Sequence, residues 1–266
     1  MKNTIFKNIR FHSFFCVLLF LSISSITFGQ EIKEKEEVII TRADAKKCDE
    51  KKIYDEKDYD CHIAYYTKRI AEIKKGRYYA NHELGYYEQR GLAYFKKDDY
   101  PNALSDFNFV INENRYRKSC YVYRAKVYEK LGDYDSALSD YFIAGDFAEA
   151  YLGIGNIAVH KRKYKAALDY YNRAIYKDYR LAKAYFGRAI VYLELGKIYS
   201  RCEIEEEKSK AIKLFNDAVR DLNSVIEIDL NNTDAETYLK RALVFDELGE
   251  TEKAVADRQK YKELSQ

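Results

Sequence analysis

The feature that most constrains this chain is the stretch Tyr121–Ala144, YVYRAKVYEKLGDYDSALSDYFIA, because near-copies of it recur along the sequence. Within it, Tyr121, Arg124, Ala125 and Tyr128 fall at i, i+3, i+4 and i+7, the spacing of one face of an α-helix. Gly132 follows Leu131 and supplies the left-handed residue that closes a helix C-terminus. Asp133 is placed to cap a second helix, and Asp135 sits in its first turn, where the helix dipole favours negative charge. Ala137, Tyr141 and Ala144 then share the inner face of that second helix. The stretch therefore predicts two antiparallel helices joined by a tight turn.

The copies are YEQRGLAYFKKDDYPNALSDFNFV from Tyr87, YLGIGNIAVHKRKYKAALDYYNRA from Tyr151, YFGRAIVYLELG from Tyr185 and YLKRALVFDELGETEKAVADRQKY from Tyr238. Small residues recur on the first helices at Gly91, Ala125, Gly155, Ala189 and Ala242, and on the second helices at Ala103, Ala137, Ala167, Ala218 and Ala254. They let the two backbones of each hairpin approach closely, while the tyrosines fill the wedges between hairpins. One hairpin cannot bury its own apolar face, so each needs its neighbour. In spacing and residue type these units resemble the tetratricopeptide repeat, which is usually about 34 residues long. The resemblance covers Leu84 to Gln266 well and Thr41 to Glu83 loosely. It implies an all-α fold, a right-handed αα-superhelix (a tetratricopeptide-repeat solenoid) of about five to six helix-turn-helix units.

Composition agrees with an all-helical chain: one Pro, and many Ala, Leu, Lys and Glu. The formal charge of +3 is accounted for by Lys2, Lys7 and Arg10, since residues 1–30 hold no acid. Without that segment the chain is neutral, which argues against a nucleic-acid partner.

Taken in order, residues 1–30 read as a signal peptide, with a basic start, an apolar run from Phe14 to Phe28, and small residues near Gly29 for cleavage. The run is short and rich in Ser, so no stable membrane span is expected after cleavage. The chain is thus expected to be exported, periplasmic or secreted. Residues 31–83 are expected to form a charged N-terminal segment and a degenerate capping repeat, with Glu50 and His62 standing where small residues belong. The array at 84–266 divides into 84–117, 118–147, 148–181, 182–234 and 235–266. The second unit is short, so its second helix should end about a turn early. The fourth carries an insertion near 197–213, because Gly196 and Ala218 are 22 residues apart where a regular unit has far fewer. There the apolar face Ala211, Leu214, Phe215, Ala218 predicts a long second helix.

No residue pattern supports catalysis. His62, His82 and His160 sit on different units, and no Cys/His spacing suggests a metal. Gly153 and Gly155 match a dinucleotide-binding pattern on paper, but within a helix and with no preceding strand. No cofactor and no enzymatic activity are expected. Cys48 and Cys61 could form a disulfide in an exported protein, given a shift of register; buried thiols are the simpler state. Asn231-Asn232-Thr233 is a glycosylation sequon in an inter-repeat loop.

The repeat resemblance implies a binding scaffold whose first helices line a concave surface. Carried onto this chain, that surface takes Leu152, Asn156, Val159, Phe186, Ile190, Leu193, Leu239 and Leu243 as candidate partner-binding residues, and Glu88, Lys126 and Glu129 in earlier units. A chaperone-type carboxylate clamp does not fit, because Glu88 and Leu92, then Val122 and Lys126, then Leu152 and Asn156, stand where it needs Lys and then Asn. The reading is a non-catalytic protein- or peptide-binding scaffold of the cell envelope. Two other classes stand beside it: a helical-repeat RNA binder, and a non-catalytic subunit of an envelope enzyme complex.

Overall fold

The computed structural model describes residues 58–76, 82–229 and 234–266. The proposed signal peptide, the charged start, Cys48 and the sequon lie outside the described residues. Among the described residues there are eleven helices and no strand. They are α1 (Tyr59–Lys74), α2 (Glu83–Lys96), α3 (Tyr100–Glu113), α4 (Lys118–Leu131), α5 (Tyr134–Ala144), α6 (Ala148–His160), α7 (Tyr164–Lys177), α8 (Ala182–Ser200), α9 (Glu205–Ile228), α10 (Ala235–Glu247) and α11 (Thr251–Leu264). None of them is long and apolar enough to cross a membrane.

The chain forms two compact units, residues 1–106 and 107–266, divided within α3. In the first, α1 packs on α2. In the second, α4–α5, α6–α7, α8–α9 and α10–α11 pair as hairpins, and α5–α6, α7–α8 and α9–α10 pack between them. The expected small residues sit at the crossings: Ala103, Ala125, Ala137, Ala167, Ala189, Ala218, Ala242 and Ala254 have no exposed surface.

The turns inside four of the hairpins use a left-handed residue, and the longer α8–α9 connection does not. Gly132 (φ 79°) and Gly249 (φ 73°) fill that position at no steric cost, but Asp98 (φ 59°) and Arg162 (φ 55°) carry side chains there. Asp133 caps α5 by accepting a hydrogen bond from the Ser136 amide at 3.1 Å. The short second unit ends α5 after 11 residues, against 14 for α3 and α7. In the fourth unit α8 runs for 19 residues and α9 for 24, which absorbs the insertion as two lengthened helices. The charges on the start of α9 are solvated pairs one turn apart, such as Lys208–Glu205 at 3.4 Å and Lys210–Glu207 at 2.9 Å.

The glycines of the first helices act as seats for aromatic rings. A methyl group on Gly153 would lie 2.2 Å from the Tyr141 ring, and one on Gly187 would lie 2.7 Å from Tyr171. Phe215 presses on Gly196 in the same way. Cys61, buried on α1, is disulfide-bonded, so the simpler thiol state does not hold for it. Cys120 and Cys202 are thiols.

Two substitutions check this account. Gly153→Ala should cost about 1–3 kcal/mol in urea unfolding, because the buried Tyr141 ring has nowhere to move. Arg162→Gly should raise stability by roughly 0.5–1 kcal/mol, the left-handed strain relieved less the entropy glycine gains when unfolded. A loss of stability in the second variant would mean that the Arg162 side chain makes a contact worth more than its strain.

Candidate functional site

Two features of the second unit are candidates for function, a polar ladder between helices and the surface presented by the first helices. The ladder is built from arginines three residues after the first tyrosine of a unit. Arg124 donates from Nε and Nη2 to Asp140 at 2.7 and 2.8 Å, a bidentate pair across the hairpin. Its remaining nitrogen reaches back to Asn108 of the preceding second helix at 2.6 Å. Arg188 repeats this with Asp221 (2.7 and 2.6 Å) and Asn172 (2.5 Å), and Arg241 with Asp257 (2.7 Å twice) and Asn223 (2.7 Å). Within the first unit Arg90 pairs with Asp106 at 2.9 and 2.7 Å and with Thr67 at 3.2 Å. The acids are buried, and the hydrogen bonds that Arg124 donates to Asp140 hold its guanidinium above its ordinary range. This arrangement ties three helices together and turns no charged group outward, so it is structural.

The ladder has a signature in the sequence. Arginine and aspartate stand 16 residues apart in three units and 33 apart in the fourth, where the insertion intervenes. In the third hairpin the same positions hold Ile154 and Tyr170, with Phe142 in place of the asparagine.

The first helices present the candidate surface. Of its predicted residues, Asn156 is exposed, and Val159, Phe186, Ile190, Leu239 and Leu243 are half-buried. Leu152 and Leu193 are corrections: both are core. Leu152 packs in a cluster with Tyr171, Ala184 and Val191, and Leu193 in one with Phe215, Leu222 and Val244. The reason is that α6 approaches α8, and α8 approaches α10, closely enough to cover side chains that point along the row of first helices. Phe186 and Leu243 also lean on the second of these clusters, whereas Ile190 and Leu239 belong to neither.

At the start of this apolar row lies a hydrogen-bonded chain. The Tyr141 hydroxyl donates to Glu129 Oε2 at 2.8 Å. The Asn156 side chain is also hydrogen-bonded to Glu129, and its Oδ1 accepts from the Tyr171 hydroxyl at 2.9 Å. Two wedge tyrosines thus send their hydroxyls to polar groups on the first helices. Burial pushes the Glu129 carboxyl above its ordinary value, against the pull of Tyr141, Asn156 and the nearby Lys126 and Lys130. Burial likewise raises the Tyr141 and Tyr171 hydroxyls, with the Glu129 charge adding to both. Among the described residues, no group of three His, Cys, Asp or Glu is placed to hold a metal ion.

Residues 148–176 match the family model of the tetratricopeptide repeat. The chain carries a tetratricopeptide repeat. Among solved structures it is similar to a monomeric mutant of IFIT1 bound to Gppp-AAAA, at 14% identity and a TM-score of 0.58. That match covers 77% of this chain and 49% of IFIT1, so the chain spans about half the length of that relative. It is similar to PilF of Pseudomonas aeruginosa at 14% identity and a TM-score of 0.56, over 68% of this chain and 75% of PilF. A crystal structure of MamA matches at 22% identity and a TM-score of 0.49, over 66% of this chain and 94% of MamA. At these identities the likeness to IFIT1 and PilF is one of fold alone, that of a tetratricopeptide solenoid. No curated protein sequence matches the chain.

The raised pKa of Glu129 carries a testable sign. The folded state holds this proton more tightly than the unfolded chain, so the stability it contributes is present at acid pH and is lost as pH rises past 4.5 through the raised value. The urea midpoint of the wild type should therefore fall relative to that of Glu129→Gln between about pH 4 and about pH 7. A difference that grows in the wild type's favour over that range would show that hydrogen bonding, not burial, governs this carboxyl.

Proposed function

We propose that this protein is a non-catalytic scaffold of the cell envelope that holds a segment of a partner protein along its first helices. Tetratricopeptide-repeat scaffolds typically bind proteins. The observation that carries the reading is the row of half-buried apolar side chains, Val159, Phe186, Ile190, Leu239 and Leu243, on successive first helices, bordered by exposed Asn156 and by Glu129. Side chains left part-exposed in a row suit a segment with apolar anchors, in helical or extended form. The hydrogen-bonded chain at Glu129 gives that row a polar end, which would orient the segment. The envelope location rests on the basic and apolar pattern of residues 1–30.

The test is Ile190→Asp combined with Leu239→Asp, since neither side chain belongs to the buried clusters. Tagged wild-type protein is recovered from the native envelope fraction with its partner, and the variant is compared. Loss of the partner with an unchanged melting curve is expected. Retention of the partner would exclude this surface, and absence of the protein from the envelope fraction would exclude the location.

A further inference from the structure

The hairpin stack has a second surface of distinct chemistry, at the edge where second helices hand over to the next first helices. Three successive connections meet there: 114–117 between α3 and α4, 145–147 between α5 and α6, and 178–181 between α7 and α8. They are contiguous in space. The Lys118 ammonium lies over Gly145, and Lys177, at the end of α7, bridges to Asp146 at 3.3 Å. Asp146 also accepts from the Tyr151 hydroxyl at 3.1 Å, and these partners hold its carboxyl below its ordinary range.

Along this edge the large aromatic side chains are turned outward. Tyr116 is 76% exposed, Tyr176 86% and Tyr179 73%, with Phe147 at 40% between them. Elsewhere the wedge tyrosines of the same repeats, Tyr141 and Tyr171, are almost wholly buried. Exposed tyrosines in such a number do not serve the core. They are interleaved with cations. Arg115 lies 5.2 Å from the Tyr116 ring and donates to its hydroxyl at 3.1 Å, while Lys118, Arg180 and Lys183 are exposed. Of the two acids here, Asp146 is neutralised by Lys177, and Asp178 is engaged by the Arg180 amide at 2.9 Å.

We infer that this edge is a docking surface for an acidic protein segment with apolar side chains between its carboxylates. Tyrosine and arginine are the residues that contribute most at protein interfaces, because they bury large area with few rotamers to fix and offer planar hydrogen bonding. The pattern of charge selects the partner class. Cations cluster around Tyr116 and again around Tyr179, and between them stand apolar Phe147 and the already neutralised Asp146. A peptide can alternate carboxylate, apolar group and carboxylate to match. A phosphodiester chain brings a charge with every nucleotide and would leave some of them over Phe147. This surface is separate from the row of first helices proposed above and does not depend on it.

The experiment uses the full-length protein and a fluorescein-labelled peptide of about twelve residues that alternates Glu with Leu and Phe, read by fluorescence anisotropy. Saturable binding is expected. It should weaken by about tenfold or more in Tyr176→Ser/Tyr179→Ser, and similarly in Arg180→Glu, with melting curves unchanged because these side chains are exposed. Raising salt from about 50 mM to about 300 mM should weaken it several-fold, and a peptide with Gln in place of Glu should bind no better than at high salt. Equal binding by wild type and variants, or no binding at all, would overturn the inference. So would a single-stranded RNA of the same length that binds more tightly than the peptide and loses affinity in the same variants.

Discussion

The fold depends on the bidentate bridge, present in four hairpins, between an arginine on the first helix and an aspartate on its partner helix. Arg124 with Asp140, Arg188 with Asp221 and Arg241 with Asp257 set the rotation of the two helices about their axes, because a planar guanidinium meets a carboxylate in one geometry only. The third nitrogen, reaching an asparagine of the preceding hairpin, carries that constraint to the next unit. Burying such a pair costs desolvation that its attraction only roughly offsets, so its contribution is to register more than to net stability. The hydrophobic driving force comes from the alanine crossings and the aromatic wedges packed around it.

The third hairpin shows what replaces the bridge. With Ile154 and Tyr170 in its place, the contact becomes apolar, Tyr170 stacks on Tyr151 with ring centroids 6.4 Å apart, and Phe142 stays 59% exposed. Here shape takes over from charge: Tyr141 sits on Gly153 and Tyr171 on Gly155 and Gly187, where even one added methyl would collide. Register in this part of the stack is thus fixed by ring against glycine. The same two rings deliver their hydroxyls to Glu129 and Asn156, so packing and the polar end of the candidate surface are set by the same residues.

How much of this was legible in the sequence differs from residue to residue. The hairpins, the small residues at their crossings and the left-handed Gly132 follow from local spacing, because helical period and turn chemistry act over a few residues. Arg162 and Asp98 in left-handed turns were not legible, since nothing local distinguishes a strained turn residue from an ordinary one. The Arg–Asp spacing was present in the letters, but its meaning requires knowing that the two positions face each other across a hairpin. On the candidate surface, Asn156, Val159, Phe186, Ile190, Leu239 and Leu243 keep exposed area, whereas Leu152 and Leu193 do not.

The sequence by itself determined the all-helical repeat, its approximate unit boundaries and the chemical types of residue on each helix face. These are properties of one hairpin, and short-range periodicity specifies them. The tertiary structure alone decided which face positions remain open once hairpins stack, because burial depends on how closely α6, α8 and α10 approach, and no single hairpin contains that distance. It also decided that three connections far apart in sequence meet at one edge, where Lys177 reaches Asp146 from one repeat to the next.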